Sequence, residues 1–178
     1  MNLFVLRHAS AGVRRANPLL DVKRPLDKDG KRHCLLLAHT LNALNIQFDL
    51  IVSSPLKRSV QTASLVGTET GYESKILISK ALAPEATYRD FQRLLSECRD
   101  YENLLVVGHN PNLPQFLGSL LVSPSATSLP QIRMRKGSLA RLSYLRTPAT
   151  MQWLLDARTV RALYTTSTKS SLRKTSRK

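Results

Sequence analysis

The sequence is short of several things at once, and each shortage excludes a class of protein. Two cysteines in 178 residues, Cys34 and Cys98, cannot form a disulfide-dense scaffold, and they read as two free thiols of a cytosolic protein. No apolar run approaches the roughly 18 residues that suggest a membrane-crossing helix. The start, Met1-Asn2-Leu3-Phe4-Val5-Leu6-Arg7-His8, has only a short apolar run and lacks the basic n-region of a secretory signal. The expected location is therefore the cytoplasm, with no membrane partner. No internal repeat or second domain is visible.

Acidic residues are scarce as well. Twelve Asp and Glu face 27 Lys and Arg, a formal net charge of +15. The excess is not spread evenly. Residues 1–130 carry 15 basic and 11 acidic residues, whereas residues 131–178 carry 12 basic residues and one acid, Asp156. From Thr165 to Lys178 the chain is Ser, Thr, Lys and Arg with one Leu, too little apolar surface to order itself. The expected organisation is one domain over 1–164 and a flexible basic tail over 165–178. The tail is the one segment with a charge suited to nucleic acid.

What is present is an ordinary globular composition, 42% apolar and 22% charged, with strands and helices in alternation. Leu3–Leu6, Asp49–Val52, Lys75–Ile78 and Asn103–Val107 read as strands. Residues 9–25 read as loop. A helix is signalled from an Asp27 N-cap to about Leu44, with Cys34, Leu37, Ala38, Leu41 and Leu44 on one face. Ser54 and Pro55 read as the cap and first position of a second helix carrying Arg58, Thr62, Leu65 and Val66. Thr87 caps a third helix, with Phe91, Leu94, Leu95 and Cys98 as its buried stripe, and another opens after Asn110-Pro111. Ser138–Leu145 and Thr150–Leu155 read as a later, hairpin-like pair of strands, and Ala157–Leu163 as a last short helix. This order predicts a three-layer α/β/α sandwich with a largely parallel, partly mixed central sheet.

In such sheets ligands sit beyond the carboxyl ends of the strands. One strand stops at Arg7-His8, one at Ser53-Ser54 just ahead of Arg58, and one at Gly108-His109. If these strands are neighbours, two imidazoles and two guanidiniums meet in one pocket. The carboxylates expected around a metal are missing from the same ends. The pocket suits a tetrahedral oxyanion, with phosphate the obvious one, because arginine offers a planar fork of donors to phosphate oxygens. Helix N-termini after Ser54 and Asn110 add amide donors, which places Gly108 and Asn110 among the substrate-binding residues. No metal or other cofactor is expected. His33 and His39 lie six apart on one helix and share no ligating face. Ser53 and Ser54 lack a G-x-S-x-G elbow. Lys57, Gly137-Ser138 and Trp153 read as a solvated charge, a turn and core.

The segments Leu6-Arg7-His8-Ala9, Arg24-Pro25-Leu26, Ser53-Ser54-Pro55-Leu56-Lys57-Arg58-Ser59-Val60-Gln61-Thr62-Ala63 and Val106-Val107-Gly108-His109-Asn110-Pro111, in this order, resemble the histidine phosphatase superfamily. The short chain and the Arg-Pro-Leu segment resemble its SixA-type phosphohistidine phosphatase branch. The resemblance runs from Met1 to about Leu155. It implies that His8 is a nucleophile that becomes phosphohistidine. It further implies that Arg7 and Arg58 bind phosphate, that His109 holds the transferring oxygens, and that Arg24 makes a further phosphate contact. Many members that act on alkyl phosphates carry an acidic proton donor after the third strand. Here Glu85 is the one acid in that stretch, and an exposed loop charge is its competing reading. An imidazole leaving group needs a donor much less than an alkoxide does. The implied activity is therefore metal-independent hydrolysis of phosphohistidine on a protein; nothing in the sequence compels a dimer, and a monomer is the default expectation. A small-molecule phosphomonoesterase of the same chemistry is the nearest alternative. A basic nucleic-acid-binding protein with an inert phosphate pocket is the alternative of another class.

Overall fold

The computed structural model describes residues 1–164, so the basic tail expected at 165–178 lies outside the described residues. Six strands, β1 (Asn2–Arg7), β2 (Leu50–Ser53), β3 (Leu77–Ile78), β4 (Asn103–Gly108), β5 (Leu139–Ser143) and β6 (Thr150–Leu155), form one sheet in the order β3-β2-β4-β1-β5-β6. The pairs β1–β4, β2–β4 and β2–β3 are parallel. β5 runs antiparallel to β1, and β6 antiparallel to β5. The largely parallel, partly mixed sheet expected from the sequence is the one found.

Strand side chains alternate between faces, and the two cores follow that alternation. Leu3 and Val5 of β1 join Leu104 and Val106 of β4 on one face, under Phe91 and Leu95 of α4 (Tyr88–Glu97) and Leu113 and Leu117 of α5 (Asn112–Leu121). Phe4, Leu6, Leu105 and Val107 point to the other face. Leu37 and Leu41 of α2 (Lys28–Ala43) and Ala63 and Val66 of α3 (Lys57–Glu69) cover them there. A sheet buried on both sides has near-continuous apolar strands, which is why Leu3–Leu6 and Leu104–Val107 carry no polar residue. No helix among the described residues is long and apolar enough to cross a membrane.

The helix starts follow local chemistry. The Asp27 side chain accepts from the Gly30 amide at 2.7 Å, and also from Ser10 Oγ and the Gly12 amide. The N-cap of α2 thus doubles as the clamp on the loop that leaves β1. Gly30 belongs to the same clamp, because a Cβ there would run into the Ser10 carbonyl oxygen. Thr87 and Asp90 form a reciprocal capping box.

Four expectations are corrected. The loop over 9–25 contains a helix, α1 (Pro18–Val22), started by an Asn17 side chain that accepts from the Leu19 amide. α3 begins at Lys57, not at Pro55, with Leu56 at its N-cap and no side-chain cap. Ser54 is engaged elsewhere, as described below. α2 ends at Ala43, so Leu44 follows the helix and is exposed. The third strand is only Leu77–Ile78, an exposed edge. Residues 157–164 are helical, close to the expected last helix.

Candidate active site

The strand order puts the ends of β2, β4 and β1 side by side, and register does the rest. Arg7 pairs with Gly108 and Ser53 with Val107. The next residue on each strand is therefore His8, His109 or Ser54. The His8 amide donates to the Gly108 carbonyl at 3.1 Å and the Ser54 amide to the Val107 carbonyl at 2.9 Å. Both rings are buried, and their centroids lie 5.0 Å apart. Arg7, His8, Arg24, Arg58, His109 and Asn110 share the walls of one cleft of about 850 Å³. Gly108 sits behind that wall instead of on it. Its carbonyl serves His8, and a Cβ there would press on Leu113 and the Leu82 carbonyl at 3.2 Å.

His8 has one defined tautomer. Its Nδ1 lies 2.8 Å from the Ala9 carbonyl oxygen, which can only accept, so Nδ1 carries the hydrogen. The lone pair is then on Nε2, where Arg58 Nε donates to it at 3.3 Å. His109 is oriented from the opposite side. Ser54 Oγ is 2.8 Å and Ser59 Oγ 3.2 Å from its Nε2, while Nδ1 is buried without a partner. Two hydroxyls thus satisfy one nitrogen, and the other is buried without a partner.

The guanidiniums are held by groups the sequence did not single out. Arg7 donates through Nη1 to the Met134 carbonyl at 2.8 Å, and Asn110 Nδ2 donates to the same oxygen at 3.0 Å. Asp21 of α1 lies between Arg24 and Arg58. Its carboxylate accepts from Arg24 Nε at 2.8 Å and from Arg58 Nη1 at 3.3 Å, and its backbone carbonyl takes a second bond from Arg58 Nη1. Arg24 also donates to the Ala11 and Gly12 carbonyls. The cluster is therefore three arginines with one carboxylate among them, where the sequence led us to expect arginines alone.

Two motif residues act as braces. Thr62 Oγ1 accepts from the Ala9 amide and donates to the Arg58 carbonyl, locking the end of β1 to α3. Gln61 Oε1 accepts from the Leu26 amide and fixes the Arg24-Pro25-Leu26 segment. Their presence inside the quoted motif was the signal available. The Gly137 amide donates to the Arg7 and His8 carbonyls, its φ is +79°, and a Cβ there would overlap the His33 ring. His33 in turn bonds the Gly137 carbonyl through Nε2, a structural role. Glu85 lines the cleft but is exposed at its rim. Lys57 is exposed, and Trp153 packs against Phe4. Among the described residues no three His, Cys, Asp or Glu side chains converge as a metal site.

Burial and positive neighbours make both rings poor bases. Burial lowers His8 to about 3, with the charges of Arg58, Arg7 and Arg24 adding to the Ala9-opposed shift. Burial and the neighbouring His8 and arginines lower His109 to about 2. Both are neutral at pH 7, the state in which His8 Nε2 can attack phosphorus. The sign of the effect on stability follows. Below about pH 6.5 an unfolded imidazole takes up a proton, and these folded ones do not. Stability is then complete above that pH and declines as pH falls toward 3. His33, whose ring burial also lowers, acts in the same direction. The melting temperature is expected to drop between pH 6.5 and 4.5, and a His8→Asn/His109→Asn variant to flatten that slope. An equal slope in the variant would assign the dependence to other groups.

The family model of the histidine phosphatase superfamily (branch 1) matches residues 3–98, which include Arg7, His8, Arg24 and Arg58 and stop before His109. An uncharacterized protein of Picosynechococcus sp. (strain ATCC 27264 / PCC 7002 / PR-6) is 34% identical over 119 residues, covering 65% of this chain and 70% of that one. The solved structure of the protein histidine phosphatase SixA complexed with tungstate superposes with a TM-score of 0.77 at 21% identity, over 90% of this chain and 99% of that one. The alpha-ribazole phosphatase from Shigella flexneri gives 0.68 at 18% identity, over 88% and 97%. At these identities the structural likeness is one of fold.

Proposed function

This chain belongs to the histidine phosphatase superfamily (branch 1), and from that premise we propose that it hydrolyses phosphohistidine carried on a protein, without a metal, through a phosphohistidine intermediate on His8. The observation that carries the reading is the His8 ring, with Nδ1–H fixed on the Ala9 carbonyl and the Nε2 lone pair facing Arg58 beside His109.

In the first step Arg58 Nε releases His8 Nε2 and turns to a phosphoryl oxygen, and the freed Nε2 lone pair attacks phosphorus in line. The new P–Nε2 bond forms as the P–N bond to the substrate ring breaks; that ring, protonated on its other nitrogen, keeps the electron pair and leaves as neutral imidazole. Arg7, Arg58 and Arg24, with His109, bear on the spreading negative charge. The Ala9 carbonyl accepts from Nδ1–H throughout and favours the positive character that His8 gains. In the second step water attacks phosphorus. The P–Nε2 pair returns to His8, and inorganic phosphate leaves.

The carboxylates at the cleft favour a leaving group that needs little protonation. The hydrogen bond from Arg24 holds Asp21 ionised, down to about 2, so at neutral pH it has no proton to give. Glu85 is exposed at the rim. A substrate ring protonated on its other nitrogen leaves as neutral imidazole, whose conjugate acid has a pKa of about 6.5, and so departs without a strong acid in the cleft. Likeness to the SixA fold supports the same substrate class. The competing ester reading rests on Glu85, which does line the cleft.

Phosphate release from a histidine-phosphorylated protein and from an aryl phosphate, each with and without chelator, separates these readings. We expect faster release from phosphohistidine, unchanged by chelator. Loss with chelator would overturn metal independence. Faster turnover of the ester would move the substrate to phosphomonoesters and make Glu85 the donor to test. No turnover of either, with salt-sensitive nucleic-acid binding, would favour the inert basic binder.

A further inference from the structure

Helix α1 has an inverted balance of burial. None of its five residues is buried, yet it carries Leu19, Leu20 and Val22, which are 76%, 55% and 45% exposed, and Val13 just upstream is 87% exposed. Apolar side chains usually hold a surface helix onto the core. Here polar bonds do that work: the Asn17 cap, the Arg15 amide to Asp21, and Asp21 to Arg24 and Arg58. Leu19 and Leu20 are left facing outward, while Val22, though partly exposed, lies on the cleft side. Two consecutive large apolar side chains exposed on one short helix, with Val13 exposed shortly before it in the chain, suit a surface that another molecule covers.

Charge and position narrow the occupant. Arg14, Arg15 and Lys23 are exposed and flank these apolar residues in the chain, none of the three is in an ion pair among the described residues, and Arg14 and Arg15 also reach the cleft wall. The opposite side of the same short helix, Pro18, Asp21 and Val22, lines the cleft that holds His8. A body lying on Leu19 and Leu20 therefore sits at the cleft mouth and can deliver a phosphoryl group into it. Small substrates have no use for such a rim.

We infer that Val13, Leu19 and Leu20, edged by Arg14, Arg15 and Lys23, form the docking surface for the phosphorylated protein, whose complementary face is an apolar patch bordered by carboxylates beside its phosphohistidine. The inference rests on the function proposed above. It adds that recognition extends from the cleft rim, where Arg14 and Arg15 stand, onto the outer side of α1. Arginine and apolar residues together also suit an anionic membrane, which the test distinguishes.

The test uses the full chain, its Leu19→Ser/Leu20→Ser variant and its Lys23→Glu variant. The substrates are an acidic, helical histidine-containing phosphotransfer domain, chemically phosphorylated on histidine, and free N-phosphohistidine. The leucine variant is expected to lose at least tenfold in kcat/KM on the phosphorylated domain, through KM, and to stay within twofold on the free amino acid. Its melting temperature should be unchanged, since neither leucine is buried. Lys23→Glu should lose several-fold on the domain alone and flatten the salt dependence of KM. Equal losses on both substrates, no loss on either, or a wild-type preference for the free amino acid would each overturn the docking surface. So would loss of binding to phosphatidylglycerol-containing vesicles with turnover of the domain intact. If the wild type turns over neither substrate, the proposed function itself fails, a result distinct from all of these.

Discussion

His8→Ala is expected to lower phosphate release by about four orders of magnitude or more, the scale on which removing a covalent nucleophile acts. It should also abolish a phosphoenzyme that is stable to alkali and labile to acid, as a phosphorus–nitrogen bond is. The size follows from the geometry. The partner on His8 Nε2, Arg58 Nε, is a donor that an incoming phosphoryl oxygen can take up, whereas two fixed hydroxyls, Ser54 and Ser59, engage His109 Nε2 and keep the neighbouring ring from replacing it. The strand end should survive the change. Its anchors do not involve the ring: the main-chain bonds from His8 to Gly108 and from Gly137 to His8, and the Ala9 amide donating to Thr62 Oγ1. A variant that folds, binds phosphate and fails to turn over is therefore the expected product. The measurement is rapid-quench trapping of labelled enzyme alongside steady-state release. Retention of a tenth of the activity, or a labelled intermediate in His8→Ala, would remove His8 from the role of nucleophile.

The parts of this arrangement that were legible in the sequence are those set by periodicity and by strand ends. Short unbroken apolar runs at Leu3–Leu6 and Leu104–Val107, each bounded by polar residues, read as strands buried on both faces. A buried parallel sheet then presents whatever follows them, His8 and His109, at one edge. What was not legible depends on partners distant in the chain. Ser54 followed by Pro55 is a sound helix-start signal on local grounds. Its hydroxyl instead meets a histidine 55 residues away, and the helix starts two residues later. Asp21 sits in a stretch with no repeat longer than one helical turn, and its importance comes from Arg58, 37 residues on. The Met134 carbonyl that steadies Arg7 and Asn110 has no side-chain signature at all. Backbone acceptors of that kind emerge only when the fold is known.

Asp21 also sets the second large effect, at Arg58. Arg58→Ala removes the donor on His8 Nε2 and one of the charges expected to meet the phosphoryl oxygens. Removing one preorganised donor of this kind costs about 10²–10³-fold in kcat, and that is the expected loss. Asp21→Asn separates orientation from charge. The amide oxygen can still accept from one guanidinium, but the negative charge between Arg24 and Arg58 is gone. With less negative charge in the cleft an incoming phosphate dianion binds more tightly, so the inhibition constant for inorganic phosphate should fall several-fold. With Arg58 less firmly held, kcat should fall about tenfold, the scale of one charge-assisted hydrogen bond. An Asp21→Asn/Arg58→Ala double variant should then be little slower than Arg58→Ala alone, because the carboxylate acts on turnover through that guanidinium. Additive losses would give Asp21 a direct part in the chemistry. An unchanged kcat in Asp21→Asn would reduce it to a surface ion pair, and weaker phosphate binding would mean that ordering the arginines outweighs the charge it removes.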